Sequence, residues 1–202
     1  MKVPRVLIIA GSDSGGGAGI QADIKTVTML GGHAMTAITA ITAQNTLGVD
    51  AVMPVPTEMV LAQIDAVVRD IGVDVVKIGM IGSAETAEAV ADWLERYREA
   101  QKQAGEWPGL PIIFDPVMVA TSGAVLAEDA TIAAFRRLMD VAFVITPNAP
   151  ELAALTGMPV GTEDELSAAG ADLARQHGTY VLAKGGHLGG DEVIDRLFDM
   201  DG

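Results

Sequence analysis

Short apolar runs alternate with longer amphipathic segments along most of this chain, and this alternation restricts the fold more than any other feature. The first run, RVLIIA (Arg5 to Ala10), precedes GIQADIKTVTMLG, which has the pattern of a helix ending at Gly31 and Gly32. Later apolar runs, each followed by a helical pattern or a glycine pair, are DVVKIGMIG, LPIIFDPVM, AFVITPN and TYVLAKGGH. The βαβ rhythm predicts an α/β protein with an open, mostly parallel sheet and helices on both faces.

Two further segments in the N-terminal part of the chain are predicted to be strands. AMTAITAIT (Ala34 to Thr42) is predicted to be the second strand of the sheet, since Thr and Ile suit a pleated surface. AVMPV is predicted to be a short edge strand because of its proline. Length and composition show no domain boundary, so residues 1–202 are expected to form one domain.

Composition excludes several classes of function. The formal net charge is −14, which argues against binding to a nucleic-acid backbone. The chain has no cysteine, and its three histidines lack metal-ligand spacing, so thiolate zinc sites and a cysteine nucleophile are excluded. No apolar run is long enough to span a bilayer, and no cleavable leader is recognisable at the N-terminus. A cytoplasmic protein with a small-molecule substrate and no membrane partner is the simplest interpretation.

A glycine-rich segment follows the first strand. GSDSGGGAG, from Gly11 to Gly19, is not a Walker A loop, because Ile20 and Gln21 follow the last glycine. A dinucleotide fingerprint is also weak, since no acidic residue lies between Asp23 and Asp50. The segment is either a flexible turn or a loop whose backbone amides approach a small ligand or anion.

Polar residues and glycines also follow most of the other predicted strands. Ligands of open parallel sheets bind beyond the carboxyl ends of the strands, so we expect these residues to line one site. Asp23 is placed in the first turn of its helix, where a carboxylate is favourable without any further role. Together with Gln44 it would offer acceptor and donor groups suited to an amine-bearing heterocycle.

The later strand ends carry a second group of candidates. Asp115 either initiates a turn or serves metal or phosphate chemistry. Asn148 and Glu151, three residues apart at a helix start, fit a helix cap equally well. Lys184 is either an exposed cation or a point charge that reaches a phosphate.

Several of these segments together resemble one family. AGSDSGGGAGIQADIKT, TAITAQNT, KIGMIGS, FDPVMVATSG, ITPNAPEL and AKGGH occur in the order and at the intervals typical of the bifunctional hydroxymethylpyrimidine/phosphomethylpyrimidine kinases of thiamine biosynthesis. The resemblance runs from about Val6 to His187. It implies a ribokinase-like fold, a homodimer, and phosphorylation of a pyrimidine alcohol, and then of its monophosphate, by ATP with Mg²⁺.

The resemblance also assigns roles to residues. The substrate-binding residues it implies are Gly11, Asp23, Gln44, Met80 and Val117. Nucleotide binding is assigned to Asp115, Asn148, Glu151 and Lys184, with Asp115 and Glu151 as the Mg²⁺ ligands. Such positioning and charge neutralisation are what phosphoryl transfer requires.

One family feature is absent from these 202 residues. Members carry a G-x-G-C or G-x-G-D anion hole with the catalytic base, and neither motif occurs here. The resemblance therefore implies a base beyond Gly202 and a domain that continues past it, so that this chain lacks the C-terminal part of the fold. A pyridoxal or pyridoxine kinase of the same fold and a non-catalytic pyrimidine-binding module are the alternatives.

Overall fold

The computed structural model describes residues 3–105, 109–118, 129–189 and 192–201. In chain order the strands and helices are β1 Arg5–Ala10, α1 Gly19–Met29, β2 His33–Ile38, β3 Ala40–Gln44, β4 Val49–Pro54, α2 Thr57–Asp70, β5 Val75–Ile78, α3 Ala84–Gln103, β6 Ile112–Phe114, α4 Asp129–Val141, β7 Val144–Ile145, α5 Ala149–Thr156, α6 Glu163–His177, β8 Tyr180–Ala183 and β9 Arg196–Phe198. None of the helices in these ranges combines the length and apolar character needed to cross a bilayer.

Within the described residues, the main sheet has seven strands in the order β2-β1-β5-β6-β7-β8-β9. All neighbouring pairs are parallel except β8 and β9, so β9 is an antiparallel edge. From β1 the chain first moves outward to β2 and then returns to the other side of β1 to form β5. The order therefore reverses beside β1, and in sheets of this type the cleft for a ligand lies at that reversal.

The alternation of side chains along β1 places helices on both faces of the sheet. Leu7 and Ile9 are fully buried and belong to the large core, which includes side chains of α2, α3 and α4. Ile8 and Ala10 point the opposite way and pack with Ile20 of α1 in a smaller cluster. Burying each large aliphatic side chain contributes about 1.5–3 kcal/mol. The predicted α/β class and mostly parallel sheet are thus confirmed.

The single strand expected from Ala34 to Thr42 is wrong. The chain divides at Thr39, whose backbone N–H donates to the Ala10 carbonyl at 3.1 Å and whose hydroxyl donates to the Met80 carbonyl at 2.6 Å. Beyond this residue β3 leaves the main sheet and pairs with β4 as an antiparallel ribbon. The segment AVMPV accordingly belongs to this ribbon and not to the edge of the main sheet.

Candidate functional site

A cavity of about 570 Å³ lies beyond the carboxyl ends of β1 and β5, at the point where the strand order reverses. All nine residues singled out from the sequence line it: Gly11, Asp23, Gln44, Met80, Asp115, Val117, Asn148, Glu151 and Lys184. These residues come from distant parts of the chain, so the fold brings them together. Asp13 and Lys77, which the sequence analysis did not select, also line the cavity.

The glycine-rich loop is organised by its own carboxylate. Asp13 is only 5% exposed, and its two oxygens accept hydrogen bonds from the backbone N–H groups of Gly15, Gly17 and Ala18 at 2.8–2.9 Å. Ala18 is the N-cap of α1 and has no side chain that could cap it. The Asp13 side chain thus supplies the acceptor that the start of this helix needs.

The charge state of Asp13 follows from these contacts. Burial alone favours the neutral acid, but the N–H groups of Gly15, Ala18 and Gly17 outweigh it and lower the pKa of Asp13 below its ordinary value. The interpretation that the loop amides approach an external ligand or anion is corrected in part, because three of these N–H groups already donate to the Asp13 carboxylate.

Two glycines of the loop lie at close approaches. Gly19 has φ +55°, and a Cβ there would collide with the Gly11 carbonyl oxygen. A Cβ at Gly11 would collide with Cε of Met80, a side chain that is 9% exposed and forms an apolar wall of the cavity. The backbone at Gly11 therefore gives Met80 its space at the cavity wall.

The ribbon of β3 and β4 is joined to the glycine-rich loop by hydrogen bonds. Ser14 donates its hydroxyl to the Gln44 carbonyl and accepts from the Gln44 N–H, both at 2.7 Å. The Thr42 hydroxyl donates to the Ser12 carbonyl at 2.8 Å, and its oxygen lies 3.2 Å from Gln44 Oε1. These contacts hold Gln44, at the end of β3, beside the loop.

Asp23 lies in the second turn of α1 and not in the first, which contains no acidic residue. The expected helix-dipole explanation for this carboxylate is therefore wrong, since that effect is confined to the terminal turn. Asp23 Oδ2 instead accepts from Lys77 Nζ of β5 at 2.8 Å, and each side chain is 24% exposed. We call Gly11, Asp23, Gln44, Lys77 and Met80 the ring end of the cavity.

The opposite end of the cavity is built from the carboxyl ends of β6, β7 and β8. Asp115 Oδ1 accepts from Lys184 Nζ at 2.8 Å and from the Thr146 hydroxyl at 3.1 Å. Val117 lies next to this pair and is half-buried. We call Asp115, Asn148, Glu151 and Lys184 the phosphate end.

Asn148 and Glu151 form a helix cap at the start of α5, as one of the two interpretations of their spacing predicts. The Asn148 side chain accepts from the Glu151 N–H, and Glu151 Oε2 accepts from the Asn148 N–H, both at 2.9 Å. Both residues also line the cavity, so the cap does not exclude a role there.

Glu151 has the more unusual environment of the two. Its side chain is 5% exposed, and burial raises its pKa above the ordinary value, with a further increase from the negative charge of Asp115. The N–H groups of Asn148 and Met118 and the charge of Lys184 act in the opposite direction. The pKa of Glu151 responds to Asp115, so the two carboxyl groups interact electrostatically.

The described residues contain no cluster of three or more histidine or acidic side chains suited to holding a metal ion alone. Mg²⁺ does not require such a cluster, because one or two carboxylates hold it when its remaining ligands are phosphate oxygens and water. Asp115 and Glu151 fit this requirement.

Two charged residues of the cavity escaped the sequence analysis, although each had a local signal. Asp13 precedes Gly15 by two positions, a spacing typical of an aspartate that bonds the backbone ahead of it. Lys77 interrupts the buried run Val75–Ile78, where an unpaired cation is unfavourable.

Comparisons with known proteins identify the family to which the chain is similar. The family model described as phosphomethylpyrimidine kinase matches residues 13–202. A hydroxymethylpyrimidine/phosphomethylpyrimidine kinase of Rhizobium meliloti is 49% identical over 197 residues, which are 96% of this chain and 70% of that protein.

Two solved structures extend the comparison to three dimensions. A phosphomethylpyrimidine kinase from Clostridium difficile has a TM-score of 0.83 and 40% identity, and the match covers 98% of this chain and 81% of the other. The ADP complex of a Bacillus subtilis pyridoxal kinase has a TM-score of 0.80 and 33% identity, with 98% and 72% covered. The ribokinase-like fold is thereby confirmed.

Proposed function

Because the chain belongs to the phosphomethylpyrimidine kinase family, we propose that it transfers the γ-phosphoryl group of ATP to 4-amino-5-hydroxymethyl-2-methylpyrimidine, and then to the resulting monophosphate, in thiamine diphosphate biosynthesis. In the first step, the hydroxymethyl oxygen forms the new P–O bond and its proton is released to solvent, while the bond from the γ-phosphorus to the β-phosphate oxygen breaks and ADP leaves. We propose a cytoplasmic location, where ATP is available.

One observation carries this proposal: the nine candidate residues line a single cavity, with the apolar side chain of Met80 and the amide of Gln44 at one end and a second, buried carboxylate, Glu151, at the other. Met80 at the ring end and Val117 from the opposite side of the cavity would contact the faces of a flat ring. Asp23 would accept a hydrogen bond from the ring edge, and Gln44 would donate one to it. At the phosphate end, Lys184 would contact a phosphate. Positioning an alcohol against a nucleotide in this way converts an intermolecular reaction into one within a single complex.

The charge balance at the phosphate end supports a bound cation there. Asp115 and Glu151 together exceed Lys184 by one negative charge when all three groups are ionised. A nucleotide triphosphate would add further negative charge. Asp115 and Glu151 would hold Mg²⁺, which would supply neutralisation of the phosphate oxygens, and Lys184 would add a point charge beside it.

The test separates the two ends of the cavity by kinetics. Gln44→Ala should raise the KM for the pyrimidine alcohol about tenfold and leave the KM for ATP within about twofold, because one polar contact to the ring is lost. Gln176→Ala, in a residue hydrogen-bonded to Asp172 on the exposed face of α6, is the matched control. Equal increases in both KM values for Gln44→Ala would contradict the proposal.

A pyridoxal kinase activity is the second candidate, favoured by the 33% identity to the Bacillus subtilis enzyme. Turnover of the pyrimidine alcohol and of pyridoxal, measured side by side with the same preparation, decides between them. Micromolar pyrimidine binding in calorimetry, without ADP release, would instead indicate a binding module.

We also propose that the protein is a homodimer whose contact includes the ribbon of β3 and β4. Ile41 and Met53 are directly opposed across this ribbon and are 46% and 59% exposed. Apolar side chains in this position need a partner surface, and a second copy of the chain supplies one. Met53→Glu should shift the sedimentation coefficient to that of a monomer, and an unchanged dimer would overturn this assignment.

A further inference from the structure

Lys77 occupies a position that the stability of the sheet does not explain. It pairs in register with Ile8, on the face of the sheet that α1 covers, between the buried residues Val76 and Ile78. An apolar side chain would suit this half-buried strand position, whereas an ammonium group must be solvated or paired. The cation is paired, through its 2.8 Å contact with Asp23, and the pair faces the cavity.

The neighbouring backbone provides space for the ammonium group. Gly79 is buried, and a Cβ there would lie 2.9 Å from Lys77 Nζ and 3.2 Å from the Ala10 side chain. The missing side chain at Gly79 therefore leaves room for the Lys77 side chain to reach the cavity and meet Asp23.

The pair still has hydrogen-bonding capacity directed at a ligand. Among the described residues, Lys77 Nζ donates only to Asp23 Oδ2, so two of its N–H bonds stay available. Asp23 Oδ1 accepts no hydrogen bond from any part of the chain that the structure describes. The pair thus offers an acceptor-only group beside a donor-only group, held together by the 2.8 Å contact between Lys77 Nζ and Asp23 Oδ2.

We propose that Lys77 is a specificity-determining residue which, together with Asp23, recognises a ring edge that carries an amino donor next to a ring-nitrogen acceptor. This rests on the proposed function, whose aminopyrimidine substrate has such an edge. Asp23 would accept from the exocyclic amine while Lys77 donates to the adjacent ring nitrogen, in two parallel hydrogen bonds to charged groups. The pair has no net charge, which suits an uncharged ring.

The same geometry rejects the corresponding oxo compound. In the 4-oxo pyrimidine the order of groups is reversed, with a carbonyl where the amine stood and an N–H where the ring acceptor stood. The carbonyl would then face the Asp23 carboxylate and the N–H would face the Lys77 ammonium. Mismatched polar groups that lose water without finding partners cost a large part of the binding free energy.

Calorimetry with the wild-type chain and the variants Lys77→Met, Lys77→Gln and Lys77→Arg tests the proposal, with the aminopyrimidine alcohol and its 4-oxo counterpart as ligands. Wild type should bind the amino compound at least about tenfold more tightly than the oxo compound, as two charged hydrogen bonds require. Lys77→Met and Lys77→Gln should bring this ratio close to one, and Lys77→Arg should restore most of it. The thermal midpoint of each variant shows whether it is folded.

Arg196→Met is the matched control. Arg196 lies on the edge strand β9, outside the cavity, and the substitution removes the cation from its ion pair with Glu163. Its ratio should equal that of wild type. A Lys77→Met or Lys77→Gln protein that is folded and keeps the wild-type ratio overturns the inference and leaves the kinase proposal standing. If wild type binds neither compound and releases no ADP with the amino compound, the proposed function itself fails.

Discussion

The two ends of the cavity contain the same chemical unit in different surroundings. Each has a lysine–aspartate pair with 2.8 Å between nitrogen and oxygen, Lys77 with Asp23 at the ring end and Lys184 with Asp115 at the phosphate end. The ring-end pair stands beside an apolar wall and a loop whose carboxylate is already satisfied. The phosphate-end pair stands beside a buried second carboxylate, Glu151.

This difference indicates different tasks for the two pairs. A neutral pair beside apolar walls can select the hydrogen-bonding pattern of an uncharged ring. A pair with an additional negative charge would, in the proposed function, hold a cation, and its lysine would contact a phosphate. Substitutions at each end should therefore affect different kinetic constants.

The largest effect is expected for Asp115→Asn. Loss of this charge would remove a Mg²⁺ ligand and leave Lys184 without its ion pair, so kcat should fall on the order of 10²-fold or more. The measurement is ADP release at saturating concentrations of both substrates. Asp23→Asn, the equivalent change at the ring end, should act chiefly on the KM for the pyrimidine, and equal losses of kcat in the two variants would remove the distinction.

Asp13→Asn should affect the ring end alone and should also depend on pH. An amide keeps one acceptor but presents N–H groups to the loop amides, so we expect a loss of about 2 kcal/mol in stability near neutral pH and about tenfold weaker pyrimidine binding. The folded-state pKa of Asp13 is lowered. Its contribution is therefore complete above the unfolded pKa of about 3.9 and is lost as the pH falls through the folded value.

Urea unfolding of both proteins from pH 7 to pH 2 measures this dependence. The free energies of unfolding should converge at the acidic end. A constant difference across the whole range would show that the carboxylate charge does not stabilise the loop.

Glu151→Gln should act at the phosphate end. In contrast to Asp13→Asn, it should increase the stability of the protein near neutral pH. Glutamine can retain the helix cap, while the charge that burial disfavours is removed. The pKa of Glu151 is raised in the folded state, so the wild-type protein loses stability as the pH rises from the unfolded-state pKa toward the folded-state pKa. The variant should therefore be more stable than wild type at neutral pH and equally stable in acid.

The affinity for Mg²⁺ with ATP should meanwhile decrease about tenfold in Glu151→Gln, as expected for a lost or weakened metal contact. Calorimetric titration of the nucleotide with and without Mg²⁺ provides the measurement. A variant with unchanged Mg²⁺ dependence would mean that Glu151 serves only as the helix cap.

The smallest effect is expected for Gly79→Ala. The added methyl group meets the mobile end of the Lys77 side chain, which can shift by a few tenths of an ångström, so stability should change by less than about 1 kcal/mol. The displaced ammonium should weaken pyrimidine binding only a few-fold, about 0.5–1 kcal/mol, and leave the KM for ATP unchanged. Gly189→Ala, where a Cβ meets nothing within 4 Å, is the control.

The alternation of apolar runs predicted the sheet and its helices because each βαβ unit has a local sequence signature. It failed at Thr39, where β2 ends and the chain leaves the main sheet; the contacts of this residue with Ala10 and Met80 are long-range and have no local sequence signature. Both Lys77 and Asp23 were visible in the sequence, but 54 residues separate them, and only the fold shows that they meet. Carboxylates at strand ends were easier to identify, since parallel strands align their carboxyl ends.

Asp13, held by three amides of its own loop, also affects how a ligand would be captured. Five glycines in a short loop would otherwise lose much conformational entropy at the moment of binding, and this loss would weaken affinity and slow productive encounters. Because the Asp13 carboxylate binds the loop amides within the protein, the loop becomes ordered when the protein folds and not when the ligand binds. An arriving ring therefore meets a receptor that is already shaped, and association should approach the rate of rigid docking instead of waiting for the loop to close.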